Sequence, residues 1–137
     1  MGPDLGVMVQ QLREFFDAHH EGLVCVYLYG SVARGEAHRH SDVDLGVLYT
    51  QEPPPTLDGL GLALCSTLEQ HLGRPVDLLV LNRAPVDLTQ RVLRDGVLVY
   101  EGDASTRIRF EVQARNAYFD LLPYLRQYRR RTRSPHV

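Results

Sequence analysis

Residues 30–45 read Gly-Ser-Val-Ala-Arg-Gly-Glu-Ala-His-Arg-His-Ser-Asp-Val-Asp-Leu, a Gly-Ser pair followed, after ten residues, by Asp-x-Asp. The continuous apolar run 23–29 before this stretch predicts a buried strand, and a chain that leaves a strand through glycine can turn tightly. Such a turn brings backbone amides close to a ligand, while Asp42 and Asp44 supply two carboxylates. The stretch therefore contains the minimum needed to hold a metal-bound nucleotide.

The two aspartates lie in residues 41–49, whose alternating start and β-branched content predict a strand. Residues two apart on a strand face the same side, with β-carbons about 6 to 7 Å apart, so Asp42 and Asp44 can converge on one hard cation such as magnesium. Two metals about 3.5 to 4 Å apart need a third carboxylate. The best candidate is Asp77, because a charged residue that opens the otherwise apolar strand 75–81 needs a partner.

The residues that follow the first strand have the character of an anion site. If Ser31 opens a short helix that runs to Arg34, the serine hydroxyl and the first amides of that helix suit an anion, and Arg34 adds a charged donor. The simpler alternatives are that Ser31 is only a helix cap and that Arg34 is a solvated arginine. The aspartates downstream favour the anion site.

Other phosphate and metal motifs fit this stretch less well. Residues 30–35 match the first part of a P-loop, but Glu36 stands where that motif needs lysine, and all fifteen basic residues of the chain are arginine. An EF-hand loop starting at Asp42 needs glycine and glutamate where the chain has Val47 and Pro53. Phosphatases with an aspartate nucleophile and sugar transferases also carry Asp-x-Asp, but neither explains the Gly-Ser pair.

The Gly-Ser pair, the ten-residue interval, the Asp-x-Asp and Asp77 on a later strand resemble the nucleotidyltransferase superfamily typified by DNA polymerase beta. With Ala-Arg-Gly at 33–35 and Ser-Asp-Val-Asp-Leu at 41–45, the chain is most similar to the small stand-alone members called minimal nucleotidyltransferases. The resemblance covers roughly residues 5 to 125. It implies an α/β fold of the polymerase beta type, with a small mixed β-sheet packed with helices and a long C-terminal helix.

The resemblance also implies a site and a reaction, the magnesium-dependent transfer of AMP from ATP to a hydroxyl. Two magnesium ions and ATP are the expected cofactor and substrate. The residues implied are Asp42, Asp44 and Asp77 for the metals and for catalysis, and Gly30, Ser31, Arg34 and Ser41 for the nucleotide.

Many members of the family are antitoxins paired with a helical nuclease toxin of the HEPN type, and some transfer AMP to a tyrosine of that toxin. The resemblance therefore implies a HEPN-type toxin as partner and its tyrosine as acceptor. Two alternatives stay open: a non-catalytic antitoxin that acts by binding alone, and transfer to a small molecule such as an aminoglycoside. The oligomeric state, a homo-oligomer included, is also open.

Length and composition agree with a single minimal domain. A chain of 137 residues with 44 % hydrophobic content predicts one domain over 1–137, with a catalytic core at about 5–100 and a C-terminal helix at about 104–131. The chain is too small for a second substrate-binding domain, which favours a protein acceptor. No stretch approaches the roughly 18 apolar residues of a membrane span, and the acidic opening lacks a signal peptide's basic start, so a cytoplasmic location is expected.

Hydrophobic periodicity predicts one α/β unit without repeats. Thr56 is expected to cap the second helix, which ends near Gly73, and Pro123 is expected to kink or end the last helix. The predicted elements are helices at 4–20, 57–72, 85–95 and from about 104 onward, and strands at 23–29, 41–49, 75–81 and 97–100.

The C-terminal end concentrates positive charge. Five of the fifteen arginines lie at this end. The rest of the chain has ten arginines against seventeen Asp and Glu residues, so a basic tail follows an acidic body. Such a tail could bind RNA or an acidic partner, and nucleic-acid binding is expected only through this tail. The simpler alternative is a solvated helix end whose arginines complement the helix dipole. The arginines concerned are Arg126, Arg129, Arg130, Arg131 and Arg133.

The cysteines and histidines are given no functional role. Cys25 and Cys65 lie forty residues apart, in a strand and a helix respectively, without a Cys-x-x-Cys motif. Two buried reduced thiols are therefore expected rather than a disulfide or a metal site. The six histidines show no convincing metal spacing, and none is assigned to the site.

Overall fold

The structure, a computed structural model, describes residues 4–38, 41–54 and 61–133, with the backbone alone for 131–133. Five α-helices, four β-strands and one short 3₁₀ turn follow one another along the described chain. In order they are α1 Leu5–Ala18, β1 Leu23–Tyr29, α2 Gly30–Ala33, β2 Val43–Tyr49, α3 Leu62–Leu72, β3 Val76–Val80, the 3₁₀ turn Leu81–Arg83, α4 Val86–Asp95, β4 Val97–Glu101 and α5 Ala104–Arg133.

The four strands form one mixed sheet in the order β3-β2-β1-β4. Strand β1 is antiparallel to both β2 and β4, while β2 and β3 run parallel. A parallel pair needs a crossover connection, and α3 lies in that connection. The mixed sheet and the long last helix confirm the predicted fold class.

Helices cover both faces of the sheet. On one face, α1 and α3 pack on alternate strand residues such as Val26 and Leu45. On the other face, α4 and the start of α5 pack on residues such as Tyr27 and Leu48. Because strand side chains alternate, the apolar pattern of β1 and β2 decides which residues face which layer.

Most predicted elements are confirmed, with differences at their ends. Helix α1 ends at Ala18 rather than at residue 20. Helix α3 begins at Leu62 after Gly61; Thr56, the predicted cap, lies outside the described residues. Among the described helices, none is both long enough and apolar enough to cross a bilayer.

Of the two effects expected of Pro123, a kink or an end of the last helix, the second does not occur. Helix α5 runs for 30 residues and continues through Pro123 to Arg133. Proline removes one backbone donor, but residues 125–127 (Leu-Arg-Gln) after it are good helix formers, and there is no glycine after the proline at which the helix could end.

Both cysteines are free thiols, as expected. Cys25 is fully buried in β1, and burial raises the pKa of its thiol to about 11. Cys65 is only partly buried, so the expectation of two buried thiols holds for Cys25 alone. The thiol of Cys65 donates to the backbone oxygen of Val76 at 3.1 Å, a contact between α3 and β3.

A polar network ties α5 to the sheet. The Tyr27 hydroxyl donates to the Glu111 carboxylate at 2.6 Å, and the same oxygen accepts from Arg107 at 2.9 Å. Arg107 also pairs with Glu101 on β4. Burial, followed by the bond to Glu111, raises the pKa of Tyr27, so its hydroxyl stays protonated and remains a donor.

Removing the Tyr27 hydroxyl tests this network. Tyr27→Phe is expected to lower the free energy of unfolding by about 1 to 2 kcal/mol, because it removes a partly buried hydrogen bond to a charged group. Urea denaturation measures the loss. Tyr124→Phe is the control, since Tyr124 lies on α5, the helix that carries Glu111, and is 69 % exposed. Its substitution should change the free energy of unfolding by no more than about 0.5 kcal/mol. Equal stabilities for the two variants would contradict the proposed anchoring.

Candidate active site

Three polar side chains stand in one row across the sheet. Strand register places Asp44 opposite Tyr29 on β1 and opposite Asp77 on β3. Asp44 lies between Val43 and Leu45, which are fully buried against the α1 and α3 layer, so its side chain faces the α4 layer. Neighbouring strands are about 4.8 Å apart, so the sheet brings the predicted Asp44 and Asp77 together.

The carboxylates of this row repel one another. The pKa of Asp44 is raised above its usual value, first by burial and then by the negative charges of Asp77 and Asp42. The positive charge of Arg34 acts in the opposite direction. All three predicted aspartates therefore contribute to one strongly negative site.

The donor set of this site suits a divalent cation. In the chain as described, no three Asp, Glu, His or Cys side chains are gathered closely enough to hold a metal ion. However, Asp42 and Asp77 are exposed and Asp44 is half-buried, so their side chains have room to move. Carboxylate oxygens are the ligands that magnesium prefers, and a cation would relieve the repulsion at Asp44.

The Gly-Ser turn packs directly against Asp44. Gly30 has a φ of +75°, and a β-carbon added there would meet Oδ2 of Asp44 at 2.1 Å. Glycine is therefore required for its backbone conformation and for the space it leaves. Helix α2 begins at Gly30 rather than at the predicted Ser31, and Arg34 caps its C-terminal end. Ser31 is half-buried in the first turn.

The two other predicted nucleotide-binding residues have structural contacts of their own. Arg34 is exposed, and its Nε donates to the Glu36 carboxylate at 3.0 Å, an ordinary surface ion pair. Ser41 is buried, and its hydroxyl accepts from the backbone N–H of His38 at 2.8 Å. Its backbone oxygen accepts from Arg74 at 3.3 Å. Ser41 thus contacts both His38 and Arg74, and nucleotide contact by Ser41 or Arg34 stays a prediction.

Sequence reasoning missed two residues that belong to the neighbourhood of the site. Burial and the charges of Asp44 and Asp77 raise the pKa of Tyr29 to about 12, while Arg91 on α4 acts in the opposite direction. The position of Tyr29 directly before Gly30 was a usable signal, because it ends the strand at the turn. No local pattern marks Arg91, whose proximity depends on how α4 packs.

Comparison with known families agrees with this geometry. The sequence pattern of the family described as "Polymerase beta, Nucleotidyltransferase" matches residues 10–105, which include every predicted site residue and end at the start of α5. The protein adenylyltransferase MntA of Shewanella oneidensis is 37 % identical over 75 residues, or 54 % of this chain. That match spans about half, 51 %, of the relative's own length.

Solved structures share the fold at low identity. A toxin–antitoxin crystal structure with AMP-PNP superposes with a TM-score of 0.77 at 24 % identity, covering 92 % of this chain and 98 % of that one. A tri-AMPylated HEPN toxin in complex with an MNT antitoxin, from Shewanella oneidensis, gives 0.73 at 20 % identity, with 95 % and 99 % covered. Because the family pattern matches well over half of the sequence, the chain belongs to the polymerase beta nucleotidyltransferase family.

Proposed function

We propose that this protein is a magnesium-dependent adenylyltransferase that transfers AMP from ATP to a tyrosine hydroxyl of a HEPN-type toxin. One observation carries the proposal: Asp44 lies in register with Asp77, within the influence of Asp42, and directly against the Gly30 turn. The names of the relatives, an adenylyltransferase of proteins and an antitoxin bound to an AMPylated toxin, support the donor and the acceptor.

The residues of the site take separate roles in this reaction. Asp42, Asp44 and Asp77 would hold two magnesium ions, which would supply positive charge for the α-phosphate and the leaving pyrophosphate. The backbone of Gly30 and Ser31 would bind the triphosphate. Asp77 is exposed beside Asp44 and is placed to accept the proton of the attacking hydroxyl. The acceptor oxygen forms a bond to the α-phosphorus as the bond to pyrophosphate breaks.

Mass spectrometry of the partner tests the reaction. The chain and its co-purified HEPN-type partner are incubated with ATP and magnesium, and the intact mass of each chain is measured. We expect the partner to become heavier by whole AMP units. A stoichiometric complex of two unmodified chains would contradict the enzyme and favour the alternative of an antitoxin that acts by binding alone.

Metal removal is a second test. Chelation with EDTA is expected to abolish AMP transfer, because the three repelling carboxylates cannot bind an anionic triphosphate without a cation between them. Added magnesium should restore the rate, and calcium should not restore it fully because its coordination is larger and less regular. Full transfer in EDTA, checked with labelled ATP, would rule out the metal-dependent mechanism.

One observation favours the binding alternative as a second candidate function. Helix α5 begins where the family pattern ends and carries several large apolar side chains that are exposed. Phe119, Tyr124 and Tyr128 are 58 %, 69 % and 67 % exposed. Exposed apolar and aromatic side chains on an arginine-rich helix are typical of a surface that contacts another protein. Binding and AMP transfer are compatible, and the mass measurement separates binding alone from both together.

A further inference from the structure

Helix α4 lies over the site on the same face of the sheet as Asp44. Its buried Val92 packs against Gly46, where an added β-carbon would meet Val92 at 3.2 Å. Gly46 is two residues after Asp44 on β2, so both residues face α4. Helix α4 also contacts α2, the helix that carries the Gly-Ser turn. The side chains of α4 that lie towards α2 and the Asp44 end of β2 therefore border the site.

Arg91, which directly precedes Val92, is an exposed arginine on α4. Across the residues that the structure describes, its guanidinium has neither a hydrogen bond nor an ion pair. The nearby Asp95 is already engaged, because Arg94 donates to both of its carboxylate oxygens at 2.9 Å. Arg91 thus keeps a full set of donors that no acceptor of the described residues engages.

The charge of Arg91 reaches the row of site residues. Its guanidinium lowers the pKa of Tyr29, the residue opposite Asp44 on the neighbouring strand, against the larger effects of burial and of the two aspartates. Together with the packing of Val92 against Gly46 and the contact between α4 and α2, this places Arg91 close to the row and to the Gly-Ser turn.

A nucleoside triphosphate is strongly anionic, and the three aspartates repel it. The chain has no lysine to bind phosphate. Among the described residues, Arg34, whose charge also acts on Asp44, is paired with Glu36. A guanidinium suits this task because its fork of N–H donors matches two phosphate oxygens at once.

We propose that Arg91 binds the β- and γ-phosphates of the nucleotide and so selects a triphosphate over a monophosphate. This role rests on the proposed function, because it assigns Arg91 to the donor substrate of that reaction. The bound polyphosphate lies between the Gly-Ser turn and α4. Arg91 is accordingly a binding residue for the part of ATP that leaves as pyrophosphate.

Binding of AMP-PNP and of AMP, measured by calorimetry with magnesium, tests the proposal. Arg91→Gln is expected to weaken AMP-PNP binding at least about tenfold and to change AMP binding less than about twofold, since AMP has no β- or γ-phosphate. Arg91→Lys should lie between Arg91→Gln and wild type, because lysine keeps the charge without the fork.

Arg13→Gln is the matched control. It removes the same charge from an exposed position on α1, in the layer on the opposite face of the sheet, and should leave both affinities unchanged. Thermal unfolding confirms that each variant is folded.

The outcomes separate this inference from the proposed function. Equal losses for AMP and AMP-PNP, wild-type AMP-PNP affinity in Arg91→Gln, or no AMP-PNP binding by the wild-type chain would each overturn the role of Arg91. If the wild-type chain binds AMP-PNP with the expected Arg91 dependence but modifies no partner, the proposed transfer fails while the phosphate contact stands.

Discussion

Asp44→Asn is expected to lower the rate of AMP transfer by about a thousandfold or more, the largest effect of any single substitution in the site. Asp44 is the central carboxylate of the row, flanked by Asp77 in register and acted on by Asp42. Asparagine keeps the shape of the side chain but loses the charge that a divalent cation needs. Transfer from labelled ATP to the co-purified partner, in the presence of magnesium, measures the loss.

The same substitution should not destabilise the protein. The raised pKa of Asp44 means that the fold disfavours its ionised form, so at neutral pH the charge of this residue opposes folding. We expect Asp44→Asn to unfold at the same temperature as wild type, or higher, in EDTA. Asp17→Asn, on the exposed face of α1, is the control and should keep full transfer. If Asp44→Asn keeps wild-type transfer, Asp44 does not hold the metal.

Local sequence pattern was sufficient for part of the site. The period of two predicted that Asp42 and Asp44 share a face of one strand, but β2 begins at Val43 and Asp42 lies directly before it. Strand β1 has the bounds predicted from its apolar run. The Gly-Ser pair directly after that run predicts a tight turn, which the φ of +75° at Gly30 confirms. These features depend only on neighbours in sequence, where hydrophobic periodicity and glycine chemistry are informative.

Contacts between distant elements could not be read in the same way. Asp77 stands beside Asp44 only because β3 pairs parallel to β2, and the register of that pair is set by packing of the whole sheet. The charge of Arg91 acts on Tyr29 only because α4 packs against β1. Ser41 was predicted from its place in a motif, but its burial and its bond to His38 depend on packing that no local pattern shows.

Gly30→Ala is expected to damage stability and activity together, which distinguishes it from the aspartate substitution. Alanine at φ +75° costs about 1 to 2 kcal/mol. Its β-carbon would also overlap Oδ2 of Asp44 at 2.1 Å, so the carboxylate or the turn must move. A displacement of about 1 Å at a reacting centre can cost about a hundredfold in rate, and we expect at least that loss of AMP transfer.

Gly35→Ala provides the matched control within the same segment. Gly35 has nearly the same φ, +73°, but a β-carbon there would meet nothing within 4 Å. Its expected cost is therefore only the backbone strain of about 1 to 2 kcal/mol, with transfer close to wild type. Urea denaturation and labelled transfer compare the two variants. Equal losses of AMP transfer in the two variants would mean that backbone strain, rather than overlap with Asp44, causes the loss in Gly30→Ala.

A double variant identifies the contact directly. If the additional cost of Gly30→Ala comes from overlap with the Asp44 carboxylate, then truncating that carboxylate should remove most of it. The Gly30→Ala substitution, made in an Asp44→Ala background, is therefore expected to lose most of this additional cost. The remainder comes from the β-carbon of residue 44, which a β-carbon at position 30 would meet at 3.2 Å. Simple additivity of the two single substitutions would show instead that alanine at position 30 displaces the turn itself. Glycine is thus required at position 30 for its φ of +75° and because a β-carbon there would overlap Oδ2 of Asp44.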